Sequence, residues 1–415
     1  MTLAGLKRRF PFLVNSGYAT VTAASAALLL VLLTIAGRLL GTADYGRFSY
    51  ALALTTIIET IMDSGLGQLT VRRVARDRST AAALFRHVLG LKLVWVALGL
   101  ALLAVIAPIL RSDPQIIRLC YAMGISSAIR SYLLTARGLL QGLDRFDLEA
   151  AIVVADRALL LAAGAAVLVA GYGLFGLALA FVLSRAVMLL VVAFLLHGVV
   201  GSVAPRFDRE AWRELQAAAL PLGFFMIALN MYSYIDTVIL GILRTDAEIG
   251  WYAASYRVYE GLTYIPSILA AVLAPRLSYL FVHDRHTHRQ LLTRTLLASV
   301  LLGVIVGGVA LVAARPLLIT LFGVAYMPAV APLRILSGGA VFVFGTWILH
   351  AAAISTNLDR RLLLTTTVGL GANVVLNLVL IPGWGISGAA AATVVAEALT
   401  VLLLVVQVAH RLTRA

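Results

Sequence analysis

The chain has 415 residues, of which 61% are hydrophobic and 13% charged, and its mean hydropathy is +0.98. Soluble proteins carry about 25% charged residues, so this composition excludes a water-exposed globule and marks a membrane protein. A net charge of +14 would suit nucleic acid, but the basic residues collect in short loops, and the lone Cys120 excludes an intrachain disulfide and a cysteine-based metal site.

Apolar stretches of about 20 residues, the length that crosses ~30 Å of hydrocarbon as a helix, recur along the whole chain. In order they predict spans at 13–36, 47–70, 87–110, 115–140, 150–170 and 174–199. After a linker come 218–242, 250–280, 292–314, 331–356, 363–382 and 386–409. The expected domains are a six-helix lobe over 1–200, a cytoplasmic linker over 201–217 and a second six-helix lobe over 218–415. With the N-terminus inside, loops of the cytoplasmic face hold 21 basic residues against 6 outside. That bias sets the orientation of bacterial inner-membrane proteins and places both termini in the cytoplasm. The basic excess is thus topology, and no nucleic-acid partner is expected. The polar stretch Arg206 to Gln216 reads as an interfacial amphipathic linker. His283, His286 and His288 read as a solvated loop rather than a metal site.

The second half echoes the first. Gly171-Tyr172-Gly173-Leu174-Phe175-Gly176 is answered 212 residues later by Gly383-Trp384-Gly385-Ile386-Ser387-Gly388. Asp44-Tyr45-Gly46 is answered 204 residues later by Glu248-Ile249-Gly250, and Leu143-Asp144-Arg145 is answered by Leu358-Asp359-Arg360. A duplicated unit of roughly 200 residues with six spans, an even number, gives two repeats of the same orientation, a construction used by transporters. Gly171 is expected to superpose near Gly383.

Charges inside spans cost about 2.5–3.5 kcal/mol each, so each needs a partner or a function. They are Glu59, Asp63, Arg130, Asp156, Arg157, Arg185, Asp236, Arg257, Glu260 and Glu397, with Lys92 and Arg334 nearer span ends. Lys92 is expected to snorkel to the membrane surface. Arg257 and Glu260 share a helix face and have the spacing of a pair; Asp156 is placed to pair with an arginine of a neighbouring span; Glu59 and Asp63 stack as like charges. Arg130, Arg157, Arg185 and Arg257 lie on four spans at mid-depth, and lipid does not accept them, so they face the bundle or water. Guanidinium forks match phosphate oxygens, so an anionic cargo fits better than a cationic one. If all four stood unpaired around one cavity, the membrane potential alone would move cargo out and reset the carrier. No catalytic motif and no sizeable external loop is present, so no enzyme activity and no cofactor are expected. Asp44, in the first external turn, is expected to pair with a cation of the other lobe when that side is closed.

Several stretches together resemble the polysaccharide transporter, or O-antigen flippase, family of the MOP superfamily. They are Arg38 to Ser49 leading to Asp63-Ser64-Gly65-Leu66-Gly67; Asp236 to Leu243 followed by Gly250-Trp251-Tyr252 and Arg257; Leu321 to Tyr326; and Asn373, Asn377 and Leu380 to Ala390. The resemblance implies an all-α polytopic membrane protein with about twelve transmembrane helices in two lobes around a central cavity open alternately to each side. It implies a cargo of undecaprenyl-diphosphate-linked oligosaccharide, moved to the external leaflet for cell-surface polysaccharide synthesis. Arg130, Arg157, Arg185, Arg257 and Arg38 would bind the diphosphate, while Asp44, Glu59, Asp63, Asp236, Glu260 and Glu397 would gate or couple. Membrane lipids, a polysaccharide polymerase and glycosyltransferases are the expected partners. A cation-coupled multidrug or small-solute antiporter of the same superfamily, with Glu59, Asp63 and Asp236 as coupling site, is the alternative. A membrane glycan polymerase is the third reading.

Overall fold

A computed structural model describes residues 17–18, 21–22, 24–356 and 358–414. Lys7, Arg8, Arg9 and the N-terminal end of the first expected span lie outside them, as do the side chains of Asp359 and Arg360. From Ala26 on, the described residues form twelve helices and no strand. They are α1 Ala26–Asp63, α2 Leu66–Arg76, α3 Ala81–Leu110, α4 Pro114–Gly142, α5 Phe146–Val169 and α6 Gly173–Val200. Then come α7 Arg209–Leu243, α8 Asp246–His283, α9 Arg285–Phe322, α10 Val330–Gly338, α11 Ala340–Ser355 and α12 Asp359–Arg414.

Among the described residues, eight helical stretches are long and apolar enough to cross a membrane, and the bent pair of α10 and α11 makes a ninth. At 1.5 Å per residue, α8 and α9, like α1, exceed the ~30 Å of hydrocarbon. Among the described helices, α1 and α12 are the ones with a non-helical residue inside. Each breaks where glycine takes a non-helical conformation, α1 at Gly41 (φ 77°) and α12 at Gly385 (φ 56°). Counting both halves of each, and adding the more polar α4, gives twelve crossings. The protein is an all-α polytopic membrane protein.

The repeat is visible in the backbone. Gly173 opens α6 with φ 62°, and Gly385, its equivalent 212 residues on, breaks α12 with φ 56°. A side chain at either position would be strained, because L-residues disfavour positive φ. Gly171 lies in the turn before α6, whereas Gly383 keeps helical geometry two residues before the Gly385 break.

One local expectation is corrected. The second crossing does not run to residue 70: it ends at Asp63, where Ser64 and Gly65 both take left-handed conformations. The chain then forms α2, which buries Leu66, Leu69 and Val74 against α3 and α4 and exposes arginines. The polar stretch from Arg206, expected as an amphipathic linker, spans a connection and the start of a helix. Residues 202–208 are extended, and α7 runs from Arg209 to Leu243 through Pro221. Trp212 Nε1 donates to the His87 carbonyl (3.1 Å) and the Arg206 amide to the Arg86 carbonyl (2.9 Å), which ties this connection to the start of α3.

The chain divides into two compact units. One comprises Met1–Leu40 and Tyr50–Tyr234; the other comprises Gly41–Ser49 and Ile235–Ala415. The short segment 41–49 thus packs with the helices of the second half, and the first part of α7 packs with those of the first.

Three helix starts in connections that carry arginines are capped by aspartates. Asp77 accepts from the Ser79 hydroxyl and amide, Asp208 from the Ala211 and Glu210 amides, and Asp284 from the Thr287 hydroxyl and amide. These bonds hold all three carboxyls below the ordinary 3.8. Lowered folded-state values mean that the caps contribute fully above pH 3.8 and are lost as the pH falls through the lowered values. The thermal midpoint in detergent is therefore expected to drop below about pH 4. Asp284→Asn, which keeps an acceptor but does not titrate there, is expected to flatten that drop; an unchanged acid limb would contradict the capping role.

Candidate functional site

In the first unit, α1, α4, α5 and α6 bring four ionisable residues within electrostatic reach of one another: Glu59, Arg130, Asp156 and Arg185. Arg130 donates through Nη1 to both oxygens of Glu59, at 3.0 and 3.1 Å. Glu59 is thus neutralised across helices. Asp156 keeps one oxygen buried without a hydrogen-bond partner, and its side chain forms no ion pair among the described residues. Neighbouring Arg157 points elsewhere, donating to the Thr22 carbonyl (3.1 Å) and the Ser25 hydroxyl (2.7 Å) of the first crossing.

Arg185 differs from the other three arginines. It is 5% exposed, and Nη1 donates to the Ser126 hydroxyl at 2.9 Å. Its guanidinium lies 5.3 Å from the Phe181 ring centroid. Its Nε is buried without a partner, and no carboxylate lies within ion-pair distance among the described residues. A guanidinium held by a hydroxyl and an aromatic face, inside a span, retains donors and charge for an anion.

Asp63 does not stack as a like charge with Glu59. Lys92, expected to snorkel, is completely buried instead, with Nζ 2.6 Å from Asp63 and 2.6 Å from the Thr135 hydroxyl. The pair forms because α1 ends at Asp63, which also accepts from the Gly67 amide (3.4 Å) across the break. Removing one partner of such a pair leaves an uncompensated buried charge and costs about 3–5 kcal/mol. Lys92→Met is therefore expected to destabilise by that amount, and Lys92→Met with Asp63→Leu to recover most of it, measured by denaturation in detergent. Equal stability of Lys92→Met and the parent would overturn the assignment.

The second unit carries acids. Asp236 is 2% exposed; it accepts from the Tyr252 hydroxyl and from the Thr237 amide at 2.6 Å, and Thr393 lies 3.4 Å from the Tyr252 oxygen. Arg257 pairs with Glu260 one turn away, as their spacing predicts. Glu397 accepts from the Thr346 hydroxyl at 3.1 Å. With Arg130 and Arg257 both paired to carboxylates, the condition for reset by voltage alone, four unpaired arginines, is not met. His288, expected in a solvated loop, is buried against Phe281, with Ser355 3.5 Å away.

At the corner after the Gly41 break, Asp44 pairs with Arg47 of its own helix (3.1 Å), and Arg47 Nε reaches Asp246 at 2.8 Å. Tyr45 is fully buried against Phe322 and Tyr326, with ring centroids 6.0 and 6.2 Å away. The repeat-related glycines Gly46 and Gly250 meet backbone to backbone. A Cβ at Gly46 would lie 1.8 Å from the Asp246 oxygen, and one at Gly250 would lie 2.0 Å from the Thr42 oxygen. Arg38, one turn before the break, is exposed.

Sequence reasoning missed Ser126, Phe181, Thr135, Tyr252, Thr393, Arg47 and Asp246. One signal was readable: Ser127, Ser131 and Thr135 recur every fourth residue and mark a polar stripe on α4 beside Ser126 and Arg130.

The family model of polysaccharide biosynthesis proteins matches residues 15–281, more than half of the chain. Solved structures share the fold. One is an inward-facing conformation of a multidrug resistance MATE family transporter of the MOP superfamily, with TM-score 0.78 and 13% identity over 94% of this chain and 95% of that one. Another is the lipid II flippase MurJ in an inward closed conformation, with TM-score 0.77 and 13% identity over 94% and 87%. A MOP superfamily transporter from Pyrococcus furiosus, whose binding pocket of reverse polarity suggests a different function, aligns with TM-score 0.64 and 12% identity over 96% of each chain. The comparison with curated proteins finds no match.

Proposed function

The chain belongs to the family of polysaccharide biosynthesis proteins, and from that premise we propose that it is a flippase for undecaprenyl-diphosphate-linked oligosaccharide. It would carry this cargo from the cytoplasmic to the external leaflet of a bacterial inner membrane by alternating access, with both termini cytoplasmic and one six-helix lobe on each side of residues 201–217. It is a transporter rather than an enzyme and works with membrane lipids, a polysaccharide polymerase and glycosyltransferases.

The observation that carries this reading is Arg185. A buried guanidinium without a carboxylate partner is costly in a membrane, and a diphosphate is the anion of the proposed cargo that repays the cost. Arg130, on another helix, lies within electrostatic reach of it and would have to exchange Glu59 for the cargo, while Arg157, Arg257 and Arg38 would meet the cargo elsewhere on its route. The corner formed by Asp44, Arg47, Gly46 and Gly250 would act as the gate, closing through the Arg47–Asp246 pair.

Farnesyl diphosphate binding to purified protein in nanodiscs, followed by the rise in thermal midpoint, tests the site. The diphosphate is expected to stabilise the parent protein and not Arg185→Ala, whereas farnesol stabilises neither. Equal shifts in parent and variant would refute the assignment.

Asp236 favours a second reading. A buried carboxylate bonded to Tyr252 and Thr237, with no cation within ion-pair distance among the described residues, fits a cation-coupled antiporter. Asp236→Asn removes coupling in that case and leaves diphosphate binding intact.

A further inference from the structure

Two apolar grooves, one in each unit, are copies of each other. In the first unit a groove of about 260 Å³ runs between α3, α4 and α6 and is lined by Phe85, Leu93, Tyr132 and Ala193. Val203 and Pro205 of the 202–208 connection close its end on the arginine-rich face. In the second unit a groove of about 260 Å³ runs between α9, α11 and α12 and is lined by Arg289, Leu297, Leu349 and Ala409. The helices are the third, fourth and sixth crossings of each half.

The equivalence holds residue by residue. Phe85, Leu89 and Leu93 correspond to Arg289, Thr293 and Leu297 at an offset of 204, the offset that relates Asp44 to Glu248. Leu189, Val192, Ala193 and Leu196 correspond to Val405, Val408, Ala409 and Leu412 at an offset of 216. Ala193 and Ala409 supply the small side chain that leaves room in each.

We propose that each groove holds an acyl chain of an anionic glycerophospholipid from the leaflet on the arginine-rich face. The lining is apolar, which suits a chain rather than a sugar. Guanidinium groups stand at both mouths. Arg289 forms no ion pair among the described residues and lines the second groove directly. Arg86 sits beside Phe85 and donates to the Ala204 carbonyl at 3.1 Å, between the lining residues Val203 and Pro205; exposed Arg206 follows, with Asp208 the nearby acid engaged in its own cap. Basic pockets between membrane helices on one face recognise lipid phosphate in this way. In the first unit the lipid would brace the connection that joins the two repeats, so occupancy would bear on how that joint moves.

Native mass spectrometry of protein extracted from nanodiscs of equal phosphatidylglycerol and phosphatidylcholine tests the proposal. The parent is expected to retain two phosphatidylglycerol molecules, Ala193→Trp or Ala409→Trp one, and the double variant none. Arg289→Gln, a surface change that keeps the groove, is expected to weaken phosphatidylglycerol binding about fivefold without changing the thermal midpoint. Retention of phosphatidylcholine equal to phosphatidylglycerol, or an unchanged lipid count in both filled variants, would overturn it, as would parental phosphatidylglycerol binding by Arg289→Gln.

Discussion

Arg185→Ala is expected to abolish complementation of a strain lacking the gene while leaving normal amounts of protein in the membrane. The two halves of that expectation have separate physical grounds. Arg185 forms no salt bridge among the described residues, so its removal breaks no ion pair, and Glu59 nearby keeps Arg130. Ser126, which accepts from Arg185, also donates to the Phe181 carbonyl at 3.1 Å and keeps that bond in the variant. The fold should therefore survive. A charge-assisted hydrogen bond is worth about 1.5–3 kcal/mol, so losing the contact to a diphosphate oxygen should weaken cargo binding roughly tenfold to a hundredfold or more. Arg185→Lys restores the charge without the fork and is expected to rescue only in part. Full complementation by Arg185→Ala would remove the basis for an anionic cargo at this position.

The second large effect is expected at the corner where the two repeats meet through Gly46 and Gly250. Any side chain there collides with backbone rather than with the end of a flexible group: the nearest atoms to an added Cβ are carbonyl oxygens 1.8 and 2.0 Å away. Gly46→Val therefore cannot seat segment 41–49, and the Arg47–Asp246 pair and the packing of Tyr45 against Phe322 and Tyr326 should be lost together. Transport is expected to stop. A cysteine at Ser49, which is 5% exposed in the seated corner, should become reactive to an impermeant maleimide in Gly46→Val and stay protected otherwise. A variant that transports normally and keeps that cysteine protected would show that the corner is no gate.

Much of the fold was legible because membrane spans are written locally. Runs of apolar residues predict crossings, and glycines at repeat-related positions predict where they break, as Gly173 and Gly385 do. What failed did so for nonlocal reasons. Lys92 looked like a snorkelling residue by its distance from a span end, but α1 ends at Ser64 and Gly65 and delivers Asp63 to it from 29 residues away. The Arg47–Asp246 bond joins residues 199 apart, and nothing at either position announces the other. Glu59 and Asp63 share a helix face as expected, yet each takes a cation from a different helix, Arg130 from α4 and Lys92 from α3. The site was half legible for the same reason. Sequence reveals which spans carry charge and that Arg257 has the spacing to pair with Glu260, but only packing reveals that Arg130 is matched by Glu59 and that Arg185 meets no carboxylate among the described residues.

Deleting the gene and following prenyl-linked lipids by mass spectrometry tests the central claim most directly. A flippase for lipid-linked oligosaccharide predicts that the completed oligosaccharide on undecaprenyl diphosphate accumulates, that it stays on the cytoplasmic side, and that parent protein but not Arg185→Ala clears it. An unchanged pool of prenyl-linked oligosaccharide in the deletion strain, with surface polysaccharide made at the normal rate, would contradict the account.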